Sequence, residues 1–170
     1  MTEPTMDIIK IADQLAQSVD LMMNQRQVVN PLMIGIHTGG AWVAKMLYER
    51  LGFVEPLGTL DISFYRDDFS QIGVNPEVKP SSLPFEVEER DILLIDDVLY
   101  TGRTIRAALN EIFDYGRPGR VFLGVLIERD GRQVPVQADC VGTRVDLKAN
   151  QRIKLSGPEP LELRTYTFDN

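Results

Sequence analysis

Two adjacent carboxylates in the middle of the chain stand between an apolar run and a turn rich in hydroxyl groups. The stretch from Ile92 to Thr104 reads Ile-Leu-Leu-Ile-Asp-Asp-Val-Leu-Tyr-Thr-Gly-Arg-Thr. Asp96 and Asp97 can accept hydrogen bonds from two vicinal hydroxyl groups. The turn at 100–104 and the helix that opens behind it offer hydroxyl and backbone N–H donors to a phosphate. These residue types in this order predict a site for a phosphorylated ribose.

Other interpretations of this acidic pair exist. It could be a metal site, or it could cap a helix without any ligand. The acidic motif of a nucleotide hydrolase is excluded, because that fold also needs a glycine-rich loop ending in Gly-Lys-Ser/Thr and the chain has none. The capping interpretation leaves the Thr-Gly-Arg-Thr turn, 101–104, unexplained.

The elements around this stretch alternate between buried strands and amphipathic helices. Apolar spacing predicts helices at about 6–27 and 41–51, and a third with apolar positions from 105 to 113 that ends at Gly116. It predicts strands at 32–36, 60–64, 91–95 and 121–127. This alternation predicts an α/β fold with a parallel sheet covered on both faces. The loops at 37–40, 65–68, 96–103 and 128–132 all follow strands, so we expect them to converge at one edge of the sheet.

The rest of the chain predicts two smaller features. A polar stretch from 65 to 84, with prolines at 76, 80 and 84, predicts a lid. Beyond Arg129 the pattern breaks into short pieces, and we expect a small cap of extended segments there. A length of 170 residues suits one domain.

Charge and composition exclude some classes of function. The net charge of −7 argues against broad nucleic-acid binding. The segment 117–154 carries eight basic and four acidic residues, so it is either a solvated basic face or a surface for an anionic ligand or RNA. With one cysteine, Cys140, no intrachain disulfide can form, and no apolar run is long enough to cross a membrane. We expect a cytoplasmic protein.

The stretch 92–104 resembles the phosphoribosyl diphosphate signature of the type I phosphoribosyltransferases. Together with 60–68, 116–118, 125–127 and 135–139, it is similar to one branch of that family, the pyrimidine operon regulators with uracil phosphoribosyltransferase activity. The similarity runs from about 32 to 143. It implies the type I fold over 1–170: a mainly parallel central sheet flanked by helices, a hood at about 128–143 and a flexible lid at about 65–84.

The resemblance also implies roles for individual residues. Asp96 and Asp97 would hold the ribose hydroxyls, near a Mg²⁺ ion bound mainly through the substrate's own oxygens, and Arg66 would close over the site from the lid. The 5′-phosphate would be held by Val98, Leu99, Tyr100, Thr101, Gly102, Arg103 and Thr104. The loop of His37, Thr38, Gly39 and Gly40 would face the pyrophosphate.

The hood is the candidate for reading the base. The hood offers the side chains of Arg129, Asp130 and Arg132. Backbone groups around Val134 and Val136 are equally good candidates, because fixed backbone donors and acceptors also reject a wrong base.

The branch implies a protein that joins uracil to phosphoribosyl diphosphate, giving UMP and pyrophosphate, and that regulates pyrimidine biosynthesis genes in response to pyrimidine nucleotides. The alternative is a nucleotide-sensing regulator with weak or no transferase activity. Implied partners are phosphoribosyl diphosphate, uracil, uridine nucleotides, a messenger RNA leader and further copies of the chain; a membrane is not among them. Purine or orotate transfer fits the branch less well.

The chain departs from this branch at two places. The pyrophosphate loop usually carries an arginine where this chain has Gly39. Losing that charged donor would cost roughly 1–3 kcal/mol, so we expect weakened transfer and a gain from Gly39→Arg. The first helix, whose basic residues bind RNA in the branch, has only Lys10 and Arg26 here.

Overall fold

A computed structural model describes residues 5–62 and 81–169. In chain order the elements are α1 (Ile8–Gln25), β1 (Leu32–Ile36), α2 (Gly39–Leu51), β2 (Gly58–Leu60), β3 (Ile92–Leu99), α3 (Arg103–Tyr115), β4 (Val121–Arg129), β5 (Cys140–Val145), β6 (Gln151–Ser156) and β7 (Glu162–Thr167). Within these residues, no helix combines the length and the apolarity needed to cross a bilayer.

Five strands form one sheet in the order β2-β1-β3-β4-β5, and every neighbouring pair is parallel. All of β1 and the first five residues of β3 are buried. Such strands need cover on both faces. The predicted α/β fold with a mainly parallel sheet flanked by helices is therefore confirmed.

The two faces of the sheet have separate hydrophobic cores. Leu93 and Ile95 pack with α1 and α2 on one face. Ile92 and Leu94 alternate to the other face and pack with α3. Each of these four side chains is at most 1% exposed, and full burial of such a side chain stabilises the fold by about 1.5–3 kcal/mol. Together the cores hold the edge of the sheet where the predicted site lies.

Three strands differ from their predicted bounds, and one of them, β4, runs to Arg129, two residues past the predicted end at 127. The strand expected at 60–64 is Gly58–Leu60 in the structure, and the residues from 63 to 80 lie outside the described part. The strand expected to end at 95 continues to Leu99, because Val98 and Leu99 remain paired with β4. Asp96 and Asp97 therefore lie within a strand rather than behind it.

The segment predicted as the hood, 128–143, begins within β4 and ends within β5. Cys140–Val145, whose first residues were assigned to the hood at 128–143, is the edge strand of the main sheet, paired with β4. α1 can pack closely against this strand at Gly142, where an added Cβ would lie 2.8 Å from Ile11 Cγ2. The separate cap of extended segments is the antiparallel ribbon of β6 and β7, at 151–167.

Candidate functional site

A crevice opens at the carboxyl ends of β1 and β3. β1 pairs with β2 on one side and with β3 on the other, so the strand order reverses between them. Open parallel sheets bind ligands at such a point. The last pair between β1 and β3 is Gly35 with Ile95, whereas β3 continues beside β4 to Leu99. At the two aspartates, β3 therefore has no partner among the described strands on its β1 side.

The acidic pair is held in place by its own backbone. Asp96 Oδ1 accepts a hydrogen bond from the N–H of Asp97 at 2.9 Å, and Asp97 Oδ1 accepts one from the N–H of Val98 at 2.8 Å. Asp96 is only 4% exposed, and both aspartates line a cleft of about 900 Å³. Each carboxylate therefore accepts a charge-assisted bond from the N–H group of the residue that follows it.

The loop at 37–40 lies beside the acidic pair. The N–H of His37 donates to Leu60 O at 2.8 Å, and the His37–Thr38 peptide bond is cis. α2 begins at Gly39, earlier than the predicted start at 41. Thr38 and Gly39 line the cleft, so the N–H groups of the first turn of α2 lie beside it. A helix N-terminus of this kind favours an anion.

Gly39 and Gly40 are in close contact with the acidic pair. A Cβ on Gly39 would lie 2.6 Å from Asp97 Cγ, and a Cβ on Gly40 would lie 2.7 Å from Ile95 O and 3.0 Å from Asp96 Oδ1. Ordinary carbon contacts are about 3.5–4.0 Å. Glycine at both positions is what allows α2 to approach β3, a reason that the sequence did not reveal.

The turn after β3 has the conformation that its glycine permits. Gly102 has φ 90° and is the N-cap of α3, a left-handed conformation that other residues rarely adopt. Thr101 Oγ1 accepts from the N–H of Arg103 at 3.2 Å. Tyr100, Thr101, Arg103 and Thr104 line the same cleft as the aspartates. The predicted phosphate-binding turn and the predicted ribose-binding pair therefore share one cavity.

Two valines predicted near the base pack behind this turn. A Cβ on Gly102 would lie 2.8 Å from Val134 Cγ2 and 3.1 Å from Val136 Cβ. The backbone N–H groups of Gln133 and Val134 donate to Thr101 O at 3.0 and 3.3 Å. The segment 133–136 thus fixes the phosphate turn from behind.

The other base-binding candidates lie around a second cavity of about 610 Å³. Arg129, Asp130, Arg132 and Val136 line it together with Leu99 and Tyr100. The Arg129 guanidinium lies 4.0 Å from the centre of the Tyr100 ring. Because both of these residues also line the larger cleft, their stacked pair forms the boundary between the two cavities.

The larger cleft has a further wall that the sequence did not identify. The residues from Gln151 to Leu155 on β6, with Trp42 of α2, complete its lining. The alternation of polar and apolar residues at 151–155 is typical of a strand, but it gives no sign of which cavity that strand covers. Arg66 and most of the lid at 65–84 lie outside the described residues.

The Mg²⁺ ion expected from the resemblance would be bound largely by oxygen atoms of the substrate. Among residues 5–62 and 81–169, no group of three or more His, Cys, Asp or Glu side chains could hold a metal ion. Mg²⁺ commonly binds through one or two carboxylates, waters and substrate phosphates. Asp96 and Asp97 in an open cleft fit that mode.

Comparison with known proteins agrees with this geometry. Residues 3–154 match the phosphoribosyl transferase domain family. A protein from Nitrosococcus oceani called Bifunctional protein PyrR is 52% identical over 167 residues, covering 97% of this chain and 94% of the relative. A protein of the same name from Pseudomonas fluorescens is 54% identical over 153 residues, covering 90% and 91%.

Solved structures agree on the fold. A hypoxanthine-guanine phosphoribosyltransferase from Bacillus anthracis superposes with a TM-score of 0.68 at 14% identity, covering 85% of each chain. A hypoxanthine phosphoribosyltransferase from Staphylococcus aureus gives a TM-score of 0.64 at 18% identity, covering 85% of this chain and 78% of the other. With the family match over most of its length, the chain belongs to the type I phosphoribosyltransferases.

Proposed function

We propose that this protein transfers the phosphoribosyl group of phosphoribosyl diphosphate to uracil, giving UMP and pyrophosphate, and that it regulates pyrimidine biosynthesis genes in response to the nucleotides that it binds. One observation supports the transferase above all. The acidic pair, the turn behind it and the start of α2 line a single cleft at the switch point of the sheet.

In this proposal the ribose lies over the acidic pair. Asp96 and Asp97 accept hydrogen bonds from the 2′ and 3′ hydroxyls, and each also accepts one from the N–H group of the next residue. Since both carboxylates are already fixed by those contacts, little side-chain entropy is lost when the sugar binds. The 5′-phosphate lies in the turn at 100–104, where the N-terminus of α3 favours negative charge.

The diphosphate lies against the start of α2, beside Thr38 and Gly39. Mg²⁺, when bound to the substrate, would neutralise part of the diphosphate charge. Asp96 and Asp97 are the residues in the described part that would hold the ion, directly or through water. Arg66 of the lid would cover the same group, although it lies outside the described residues.

The reaction needs positioning rather than a nucleophile from the protein. The bond from C1 to the diphosphate oxygen breaks, and the diphosphate leaves with its electron pair. N1 of uracil forms the new bond to C1 and loses its proton to water. The positive charge that develops on the ribose ring is of the kind met in glycoside chemistry, and the carboxylates beneath the ring would stabilise it.

For the base, the junction of the two cavities is the best-supported place. Tyr100 and Arg129 border both cavities, next to the sugar site. Asp130, Arg132 and the backbone near Val136 remain candidates for reading uracil from the second cavity. Val134 would act indirectly, since it supports the phosphate turn. The preference for uracil itself rests on the resemblance and on relatives called bifunctional.

One assay tests the transferase. The protein is incubated with phosphoribosyl diphosphate, Mg²⁺ and each nucleobase in turn, and pyrophosphate release is measured. We expect release with uracil, and its loss in the Asp96→Asn, Asp97→Asn double variant. Asp114→Asn, on the exposed surface of α3, is the matched control. Release with a purine and none with uracil would contradict the proposal.

The nucleotide sensor remains the second candidate, because the loop at 37–40 brings no charged side chain to the cleft. UMP binding without turnover in the same assay would select it. The basic segment 117–154 gives limited support to RNA as the regulated partner, since Arg120 is paired with Asp91 and Arg144 with Glu128. Regulation through RNA predicts that a leader transcript binds more tightly when UMP is present. A homo-oligomer, also expected from the branch, would be measured by light scattering.

A further inference from the structure

The strand β6 presents its edge to the cleft. Every residue from Gln151 to Leu155 lines the cavity, although side chains alternate between the two faces of a strand. β7 occupies the other edge of β6. Ile153 and Leu155 pack into the hydrophobic core, whereas Arg152 and Lys154 are exposed. The two cations are therefore on the outer face, beside the opening of the cleft.

The described lining of this cleft has an excess of positive charge. Its acidic members are Asp96 and Asp97, and its basic members are Arg103, Arg129, Arg152 and Lys154. With all of them ionised, the net charge is +2. A cleft of this charge favours a ligand with several negative charges.

Lys154 is the one cation of this lining for which the described chain offers no partner. The arginines each have one: Arg103 Nε donates to Gln133 Oε1 at 3.1 Å, Arg129 stacks on Tyr100, and Arg152 lies 5.1 Å from the centre of the Phe168 ring. Directly across the ribbon from Lys154 is Arg164, already paired with Glu162. Like charges in such a pair are destabilising, so an anion near Lys154 would relieve the repulsion.

We propose that Lys154 binds the diphosphate of phosphoribosyl diphosphate, in the cleft that Thr38 and Gly39 also line. The inference rests on the function proposed above. In this proposal β6 supplies a positively charged side chain to the cleft, whereas the loop at 37–40 contributes only Thr38 and Gly39. An ammonium group is a compact charge with three donors and suits a phosphate. Because the leaving diphosphate gains charge as its bond to C1 breaks, the contact strengthens in the transition state.

The test compares Lys154→Gln with Lys45→Gln, which removes the same charge from the exposed side of α2. Calorimetry in Mg²⁺ measures the binding of inorganic pyrophosphate and of UMP. For Lys154→Gln we expect pyrophosphate to bind about ten- to a hundredfold more weakly, with an equal fall in kcat/KM for phosphoribosyl diphosphate. UMP, which lacks the diphosphate, should bind within about twofold of the wild type, as should both ligands to Lys45→Gln. Lys154→Arg should restore most of the pyrophosphate affinity.

Three results would overturn the inference: unchanged pyrophosphate binding by Lys154→Gln, an equal loss of UMP affinity, or the same loss in Lys45→Gln. Failure of the proposed function has a different signature. In that case the wild type itself would release no pyrophosphate with any base and would bind no UMP, and the role of Lys154 would fall with it.

Discussion

Replacing Gly39 is the most informative perturbation of the site. An added Cβ would lie 2.6 Å from Asp97 Cγ, so the carboxyl group would have to move by about 1 Å to reach ordinary contact distance. That movement breaks the 2.8 Å hydrogen bond from the N–H of Val98. A bond to a charged group is worth about 1.5–3 kcal/mol, and a displacement of this size at a reacting centre can cost about a hundredfold in rate.

We therefore expect Gly39→Ala to lower kcat/KM for phosphoribosyl diphosphate by about ten- to a hundredfold. Gly39→Arg should also fall below the wild type, contrary to the gain that loop charge alone suggests. Its kcat/KM should exceed that of Gly39→Ala, because the guanidinium binds the diphosphate and so offsets part of the steric cost. The ratio of the two variants separates the steric cost from the benefit of charge.

A double-mutant cycle tests the proposed route of this effect. In an Asp97→Ala background the carboxyl group is gone and the closest remaining contact of the added Cβ is Asp97 Cβ at 3.0 Å, so Gly39→Ala should weaken UMP binding less than it does in the wild type, measured by calorimetry. The reasoning is refuted if Gly39→Ala matches the wild type, if its cost is the same without the Asp97 carboxylate, or if Gly39→Arg surpasses the wild type.

Three further predictions concern stability and reactivity. Gly40→Ala places a Cβ 2.7 Å from Ile95 O, and such overpacking should cost about 1–3 kcal/mol in denaturant unfolding; an unchanged midpoint would contradict this. The hydrogen bond from the Arg120 side chain, opposed by burial, lowers the pKa of Asp91. Asp91 therefore stabilises the fold above its unfolded pKa of about 4, and the stability is lost as pH falls through the lower folded value. Asp91→Asn should unfold with a shallower dependence on pH below about pH 4, and a slope equal to that of the wild type would argue against this pair. Burial raises the pKa of the Cys140 thiol, so a disulfide reagent should label it only as the chain unfolds; rapid labelling of the native protein would be inconsistent with this packing.

The parallel sheet could be predicted because its strands are buried on both faces. Such strands appear as unbroken apolar runs, as at Leu32–Ile36 and Ile92–Ile95, and amphipathic helices separate them. The same logic predicted that loops after these strands converge. Thr38, Gly39, Asp96 and the turn at 100–104 do share one cleft. Their roles in binding stay predictions.

Tertiary packing decided what the sequence could not. The strand β3 extends to Leu99 because β4 continues beside it, and a run ending in two aspartates gives no sign of this. Cys140–Val145 belongs to the main sheet because it pairs in parallel with β4. The extended segments outside the main sheet are therefore those at 151–167. From the sequence, glycine at position 39 looked like the loss of an arginine charge. In the structure, the Asp97 carboxyl group occupies the space that a side chain at position 39 would need.

The central claim is that Asp96, Asp97 and the turn behind them bind a ribose phosphate. Calorimetric titration of UMP in the presence of Mg²⁺ tests it most directly, with the wild type, Asp114→Asn and the Asp96→Asn, Asp97→Asn double variant. We predict equal binding by the first two and affinity at least about tenfold weaker for the double variant. Equal heats and affinities for all three proteins, or no binding by the wild type, would contradict the claim.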